Sequence, residues 1–423
     1  MFYLINSKKS TYIYEYHFST FLKGKAKEAE QIAALLRQAT NMFRIGYDAK
    51  RLFNNFTGLG NYSRTLLKDL SIYHPDNEFF LFTPKVKPNS ETQYFQNSPM
   101  YNVQMPKRGN GAYWRAFSIK RDLIKHRIEL FHGLSNEIPM GLQKAGIPSV
   151  VTIHDLIFRH YPNQYSWIDR QIYDYKFRYA CENADRIVAI SESTKRDIIH
   201  FYNINPDKIQ VIYQSCHERF VQERSQKTID GVLKKYNLPE DYLLYVGSII
   251  ERKNLLGIVQ AMSLLSESER LLLVVVGQGG SYKRKVQAFI QQHGLKDQVL
   301  FIQPDFSDLP AIYQQSNLFL YPSYFEGFGI PILEAMLSEV PVITSSVSSL
   351  PEAAGPDSWL VDPGSPEAIA EGIRTILSDD ARREKMIRNG YTYAQKFNGE
   401  DISAQMIDLY EEVIGRDEVE IIM

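Results

Sequence analysis

The sequence predicts an α/β protein of two doubly wound, Rossmann-like domains facing each other across a cleft. Three observations predict it. The chain has 423 residues, too many for one hydrophobic core and suited to two domains. Short continuous apolar runs recur along it, each followed by a stretch of helical period. Parallel strands buried on both faces by helices read in this way. The alternation also occurs twice, separated by a polar, poorly patterned stretch over 217–240 that reads as a linker.

In chain order, residues 1–41 form an extension, with a stretch from Lys23 to Gln38 that places Ile32, Leu35 and Leu36 on one side of an amphipathic helix. Met42 stands directly before the first strong strand, so the extension is either upstream of the true start or an accessory helix. The first domain, 42–225, is the acceptor side. Its strand-like runs are Phe43–Tyr47, Phe79–Phe82, Ile128–Phe131, Ser149–Ile153, Arg186–Ile190 and Ile209–Ile212, with helices such as Asn61–Ser71 and Ser193–Phe201 between them. The second, 226–398, has runs at Tyr242–Val246, Leu271–Val276, Val299–Ile302, Asn317–Tyr321 and Val340–Thr344, with helices such as Asn254–Leu265 and Tyr282–His293. Residues 399–423 add one more amphipathic helix, expected to return to the first domain.

Composition narrows the function classes. A net charge of −1 with 44% hydrophobic residues is that of an ordinary soluble protein and gives no global signal for nucleic acid. Cys181 and Cys216 have no metal-type spacing and read as free thiols in a reducing compartment. The longest apolar run, Leu271–Val276, has strand length, and Phe2-Tyr3-Leu4-Ile5 is too short for a leader. A cytoplasmic protein is expected.

In a doubly wound fold the ligand lies at the carboxyl ends of the strands. Gly58-Leu59-Gly60 follows the first strand. His154-Asp155 ends the strand Ser149–Ile153. Arg252-Lys253-Asn254 follows the first strand of the second domain; a guanidinium and an ammonium side by side suit a diphosphate, and Asn254 can cap the next helix. After Asn317–Tyr321 comes Glu326-Gly327-Phe328-Gly329-Ile330-Pro331-Ile332-Leu333-Glu334, a glycine turn into a helix with an acid on either side. Proline suits a first helical turn, and such a turn offers free amides to phosphate. A nucleoside diphosphate sugar has two polyols, sugar and ribose, joined by a diphosphate. One carboxylate for each polyol, with cations and amides between, matches that layout.

Together these segments resemble the retaining glycosyltransferases of the GT-B fold, family GT4. The resemblance runs from about Phe43 to the C-terminus. It is carried by the E-x7-E segment Glu326 to Glu334, by Pro341-Val342-Ile343-Thr344, Leu350-Pro351-Glu352 and Thr57 to Tyr62, and by His154-Asp155. It implies a hexosyltransferase, of mannose or glucose type, acting from an NDP-sugar on a glycan or lipid-linked glycan in surface polysaccharide synthesis, with no cofactor and no metal. It further implies catalytic roles for Glu326, on the donor sugar, and His154, beside it. Arg252 and Lys253 would hold the diphosphate, and Glu334 the ribose. The amides of Gly327, Phe328, Gly329 and Ile330 would support phosphate and sugar. Gln303 to Asp305 would face the base, and Gly58 and Gly60 would approach phosphate or acceptor. Ser248 stands where many relatives carry arginine, so Arg252 must supply the guanidinium. A sugar-nucleotide epimerase of the same fold, or a non-catalytic nucleotide-sugar binder, are the alternatives.

The segment Lys107 to Arg127 holds seven lysines and arginines, with Tyr113, Trp114 and Phe117 interleaved. It reads either as one solvated basic helix face or as a peripheral contact with anionic lipid at the inner membrane surface.

Overall fold

The computed structural model describes residues 42–107 and 109–415. The extension, with the helix expected over Lys23–Gln38, lies outside the described residues.

The first domain carries a seven-stranded parallel sheet: β1 (Arg44–Asp48), β2 (Glu78–Phe82), β3 (Tyr101–Gln104), β4 (Leu130–Gly133), β5 (Ser149–Ile153), β6 (Arg186–Ala189) and β7 (Ile209–Val211), in spatial order β3-β2-β1-β4-β5-β6-β7. The second carries a six-stranded parallel sheet: β8 (Tyr242–Val246), β9 (Leu272–Val276), β10 (Val299–Ile302), β11 (Leu318–Tyr321), β12 (Val342–Ser345) and β13 (Trp359–Val361), in order β10-β9-β8-β11-β12-β13. The order reverses between β1 and β4 and between β8 and β11. Loops leaving these two switch points diverge and open a crevice at the strand ends.

The central strands are continuous apolar runs, and all five residues of β5 are buried. Two strands were not anticipated. β3 reads Tyr-Asn-Val-Gln, with only Tyr101 buried, and β13 has three residues; both close an edge of their sheet. An edge strand has one neighbour and carries a short, weak apolar signal.

The stretch over 217–240 is not a linker. Gln226–Tyr236 is an amphipathic helix that Ser225 caps, and it buries Ile229, Val232 and Leu233 in the core of the second domain. Its polar residues are the outward face, which hides the apolar stripe in a composition count. Phe220 and Cys216 already belong to that core, so the chain crosses between domains ahead of residue 216.

It crosses back near Phe397. The two crossings are tied by the Cys216 amide, which donates to the Phe397 carbonyl at 3.2 Å. The terminal helix Gly399–Ile414 then lies against the helix Gly58–Tyr73 and buries Ile402, Met406, Leu409 and Tyr410 in the core of the first domain. Tyr410 is also hydrogen-bonded there. His132 has Nδ1 at 2.6 Å from the Tyr410 hydroxyl and Nε2 at 2.8 Å from the Thr152 hydroxyl, all buried.

Met406→Ala is expected to cost about 2–5 kcal/mol of stability. Tyr410→Phe strands a buried imidazole nitrogen and is expected to cost about 1–3 kcal/mol. Urea melts of each variant measure both.

Candidate active site

The site is built on the loops leaving β8 and β11, which are laced together. Asn254 sits at φ 56° and accepts from the Gly257 amide at 3.2 Å, capping the helix Leu255–Ser263. Its buried Nδ2 donates to the Pro322 carbonyl at 3.1 Å and to that of Pro363 at 2.7 Å. The Tyr324 amide donates to the Arg252 carbonyl at 2.8 Å, and the Arg252 guanidinium donates to the Phe325 carbonyl.

Glu326 is the centre of this framework. Its Oε2 lies 2.7 Å from Arg252 Nη1 and its Oε1 3.0 Å from Lys253 Nζ. Tyr321 and Ser323 hydroxyls each donate to Oε1 at 3.0 Å. The three charged side chains are only 12%, 15% and 13% exposed for Glu326, Arg252 and Lys253. Burial pushes the Glu326 carboxyl up, but the Lys253 and Arg252 charges outweigh it and bring the group down to about 2. The carboxylate is therefore ionised at every physiological pH. The resemblance implies separate sugar and diphosphate contacts for these groups; in the structure they also pair with one another.

After Glu326 the chain turns against the other domain. A Cβ at Gly327 would stand 2.2 Å from the His154 carbonyl oxygen, so only glycine fits. The Ser191 hydroxyl of the first domain donates to the Gly327 carbonyl at 2.7 Å. Ser349 donates to the Glu326 carbonyl at 2.8 Å and to that of Phe328 at 3.0 Å. The carbonyls are thus held from behind. The amides of Gly327, Phe328, Gly329 and Ile330 donate to no acceptor among the described residues. Gly329 lies at φ 119°, and the helix that follows is Ile330–Leu337. Four amides without an acceptor thus lead into the start of this helix, where an anion is favoured.

Glu334 lies in the second turn of that helix, which begins at Ile330. The Tyr313 hydroxyl donates to its Oε2 at 2.9 Å. Burial raises its carboxyl to about 7, against the Tyr313 hydrogen bond and the charges of Arg219 and Lys253. Two acids on one loop and helix thus differ in state, one fixed as an anion and one poised near neutrality.

On the facing domain, His154 Nε2 is 2.9 Å from the Leu134 carbonyl. A carbonyl only accepts, so Nε2 carries the proton and Nδ1 the lone pair. Burial lowers this imidazole to about 4, so it is neutral. The Tyr62 ring meets it edge-on at 4.7 Å.

Other expected residues fall differently. Gly58 and Gly60 are in the first turn of the helix Gly58–Tyr73, not in a loop before it. A Cβ at Gly60 would overlap the Asn55 carbonyl at 1.8 Å, and its amide donates to Asn55 Oδ1 at 3.0 Å. That glycine serves the local turn; only Gly58 has open space around it. Asp305 is engaged with Lys235 at 2.7 Å.

Residues to which the sequence reading gave no role complete the site. Tyr321 and Ser323 orient Glu326, and Tyr313 holds Glu334. Glu352 reaches across the domain boundary, accepting from the Glu192 amide at 2.7 Å and the Ser193 amide at 2.9 Å at the start of the helix Glu192–Tyr202. Among the described residues no three His, Cys, Asp or Glu side chains gather as a metal site.

Residues 230–393 match the family model described as glycosyl transferases group 1, and residues 57–215 match that of glycosyltransferase family 4. The O-antigen chain mannosyltransferase B of Escherichia coli is 31% identical over 382 residues, which cover 84% of this chain and 96% of that one. The chain belongs to glycosyltransferase family 4. The fold of this glycosyltransferase agrees with solved members of the GT-B class. Sucrose-phosphate synthase from Thermosynechococcus elongatus superposes with a TM-score of 0.72 at 23% identity, covering 88% of this chain and 99% of that one. Anabaena HepE, crystallised with UDP and glucose, gives 0.71 at 16%, covering 88% and 100%.

A raised carboxyl works against folding once it ionises. Its unfavourable contribution is absent below the unfolded value, grows as pH rises, and is complete above about 7. Glu334→Gln of the glycosyltransferase should therefore raise Tm at pH 8 and do so much less at pH 5, near the bottom of that window. Paired thermal melts at the two pH values check this.

Proposed function

We propose that this glycosyltransferase moves a hexose of the mannose or glucose type from an NDP-sugar to a hydroxyl of a glycan or lipid-linked glycan. The transfer retains anomeric configuration, needs no metal ion, and serves surface polysaccharide assembly on the cytoplasmic side. The observation that carries this reading is the Glu326 cluster: an ionised carboxylate between two buried cations, beside four free amides and facing His154. The sugar and the pathway rest on the Escherichia coli relative, an O-antigen mannosyltransferase. The epimerase and non-catalytic alternatives are not favoured, since the relatives are transferases.

In this reading an incoming diphosphate competes with Glu326 for Arg252 and Lys253. As it takes the guanidinium and the ammonium, the freed carboxylate turns to the sugar hydroxyls, and the amides of Gly327 to Ile330 take phosphate and sugar oxygens. Glu334 accepts from the ribose, and Gly58 approaches phosphate or acceptor. The acceptor hydroxyl attacks the anomeric carbon from the leaving group's side. Its oxygen bonds to that carbon as the bond to the diphosphate oxygen breaks. The electron pair leaves with the diphosphate, one of whose oxygens takes the proton. Glu326 stabilises positive charge building on the sugar, and Arg252 and Lys253 the negative charge on the leaving group. Neutral His154 supplies a hydrogen-bond acceptor at Nδ1 beside the sugar.

Glu326→Gln is expected to lower kcat by about 10²–10³ while the protein still folds, as for loss of one preorganised electrostatic group. The Arg252→Ala, Lys253→Ala double variant should weaken donor binding above all. Steady-state kinetics and titration with the NDP-sugar read both, and unchanged transfer by Glu326→Gln excludes the assignment. Activity should persist in EDTA, and NMR of the product should show the donor's anomeric configuration.

We also propose a bilayer contact on the first domain, in a revised form. Trp114 and Arg115 point inward: the indole donates to Asp122 at 2.7 Å, and Arg115 pairs with Asp48 and, at 2.8 Å, with Glu137. Tyr113, Phe117 and Ile124 are the exposed large apolar side chains among the described residues of that segment, and Arg121 and Lys125 are exposed as well. A second helix, Trp167–Asn183, exposes Trp167, Ile168, Ile172 and Tyr175. Glu137 joins the two helices, since it also accepts from Lys176 at 3.1 Å. Aromatic and aliphatic anchors rimmed by cations suit an anionic membrane surface. Among the described residues no helix is long and apolar enough to cross a membrane. Wild type should float with phosphatidylglycerol vesicles, and a Phe117→Ser, Ile124→Ser, Ile168→Ser variant should not; flotation of both alike would reject the contact.

A further inference from the structure

A cavity of about 540 Å³ lies between the domains, with Arg252 in its lining. That is the size range of small-ligand sites. One wall is the first-domain segment from His160 to Gln164; the other is formed by the helices Leu255–Ser263 and Ser281–Gln292. Three tyrosines line it, Tyr161, Tyr282 and Tyr324. Asn163, Gln164, Gln260 and Lys285 also line it, and none of their side-chain heads bonds to another group among the described residues. Arg252 is part of the wall, and its guanidinium is 2.7 Å from Glu326, so the cavity abuts the reacting centre. A second cavity of about 520 Å³ lies beyond the contact in which the Tyr161 hydroxyl donates to the Tyr324 carbonyl at 3.4 Å. His160, Tyr161 and Tyr324 line both, so the two cavities adjoin and form one trough.

We propose that this trough is a glycan subsite, which holds the sugar units of the acceptor that precede the hydroxyl being glycosylated. It rests on the reading of the acceptor as a glycan. The chemistry of the lining selects the ligand class. A carboxamide head carries donors and an acceptor in one plane, and a sugar hydroxyl both donates and accepts, so unpartnered Asn and Gln heads match a polyol. Tyrosine rings present flat apolar faces with a polar tip, which suit the C–H face of a pyranose ring. Charges of both signs line the trough, Glu251 with Arg252 and Lys285 in the first cavity and Asp197 and Asp362 with Arg196 in the second, so no single sign selects an ion there. The subsite exists only with the domains together, because its two walls come from different domains. An acceptor bound there favours the closed cleft.

The test is direct binding of α-linked mannotetraose and of mannose to the full-length protein without donor, by isothermal titration calorimetry. The wild type is expected to bind the tetraose at least tenfold more tightly than mannose. The Gln164→Ala, Gln260→Ala double variant removes two hydrogen-bonding heads and should lose about tenfold in tetraose affinity, with unchanged thermal melting. Equal affinity of the wild type for the two sugars would overturn the subsite, as would a double variant that binds the tetraose as tightly as the wild type. Transfer from NDP-sugar is assayed separately. Binding that behaves as expected without transfer would leave the subsite standing and remove the proposed reaction; transfer without a length advantage would do the reverse.

Discussion

A buried carboxylate stays ionised only if its charge is met at contact distance. The ion cluster of Glu326, Arg252 and Lys253 meets that condition with two cations from one loop and one anion from another. The rest of the second domain's active edge follows from it. Asn254 is buried and triply bonded so that the loop after β8 aims both cations at one point. Tyr321 and Ser323 supply the remaining donors to the carboxylate. Removing any one partner would leave a charge uncompensated in a poorly solvated place, so the cluster is also a register mark that fixes the β8 and β11 loops to each other. A ligand with its own negative charge can replace Glu326 as the partner of the cations without leaving either of them bare.

The same edge shows how a domain interface can be both tight and separable. Contacts across the cleft combine polar and aromatic groups: the Gly327 carbonyl with Ser191, the amides of Glu192 and Ser193 with Glu352, and the Phe325 ring against His160 and Tyr161. The polar ones are well hydrated when exposed, so parting them forfeits little apolar burial. The large apolar clusters stay within each domain, apart from a few residues such as Ile190, Tyr213 and Phe328 beside the crossings. Stability and mobility are thereby assigned to different atoms.

Much of the fold was legible because buried parallel strands are continuous apolar words. β5, β8 and β10 fall where the runs Ser149–Ile153, Tyr242–Val246 and Val299–Ile302 lie. The edge strands β3 and β13 escaped because an edge has less to bury, and the helix Gln226–Tyr236 escaped because its apolar residues are spaced among charges. In the site, Glu326, Glu334, Arg252 and Lys253 could be read from their position after strands. That Glu326 contacts Arg252 and Lys253 could not, since Lys253 and Glu326 are 73 residues apart and are brought together by β8–β11 pairing. Trp114 and Arg115 show the opposite failure. Their types suggested a surface, whereas Asp122, Asp48 and Glu137, remote in sequence or on another face, draw them inward. Gly60 looked like a ligand-facing glycine and is one for the sake of its own Asn55.

The hydrogen bond from the Cys216 amide to the Phe397 carbonyl joins the two places where the chain passes between domains. One covalent crossing would be a swivel, free to turn about any axis. Two crossings held side by side cannot be sheared or twisted past each other without breaking that bond, which leaves chiefly a flexing about the line they define. The domains are then two arms of a single lever. In such a lever a point beside the crossings, such as Tyr213 packed on Phe328 and Phe397, has less travel than a point farther out.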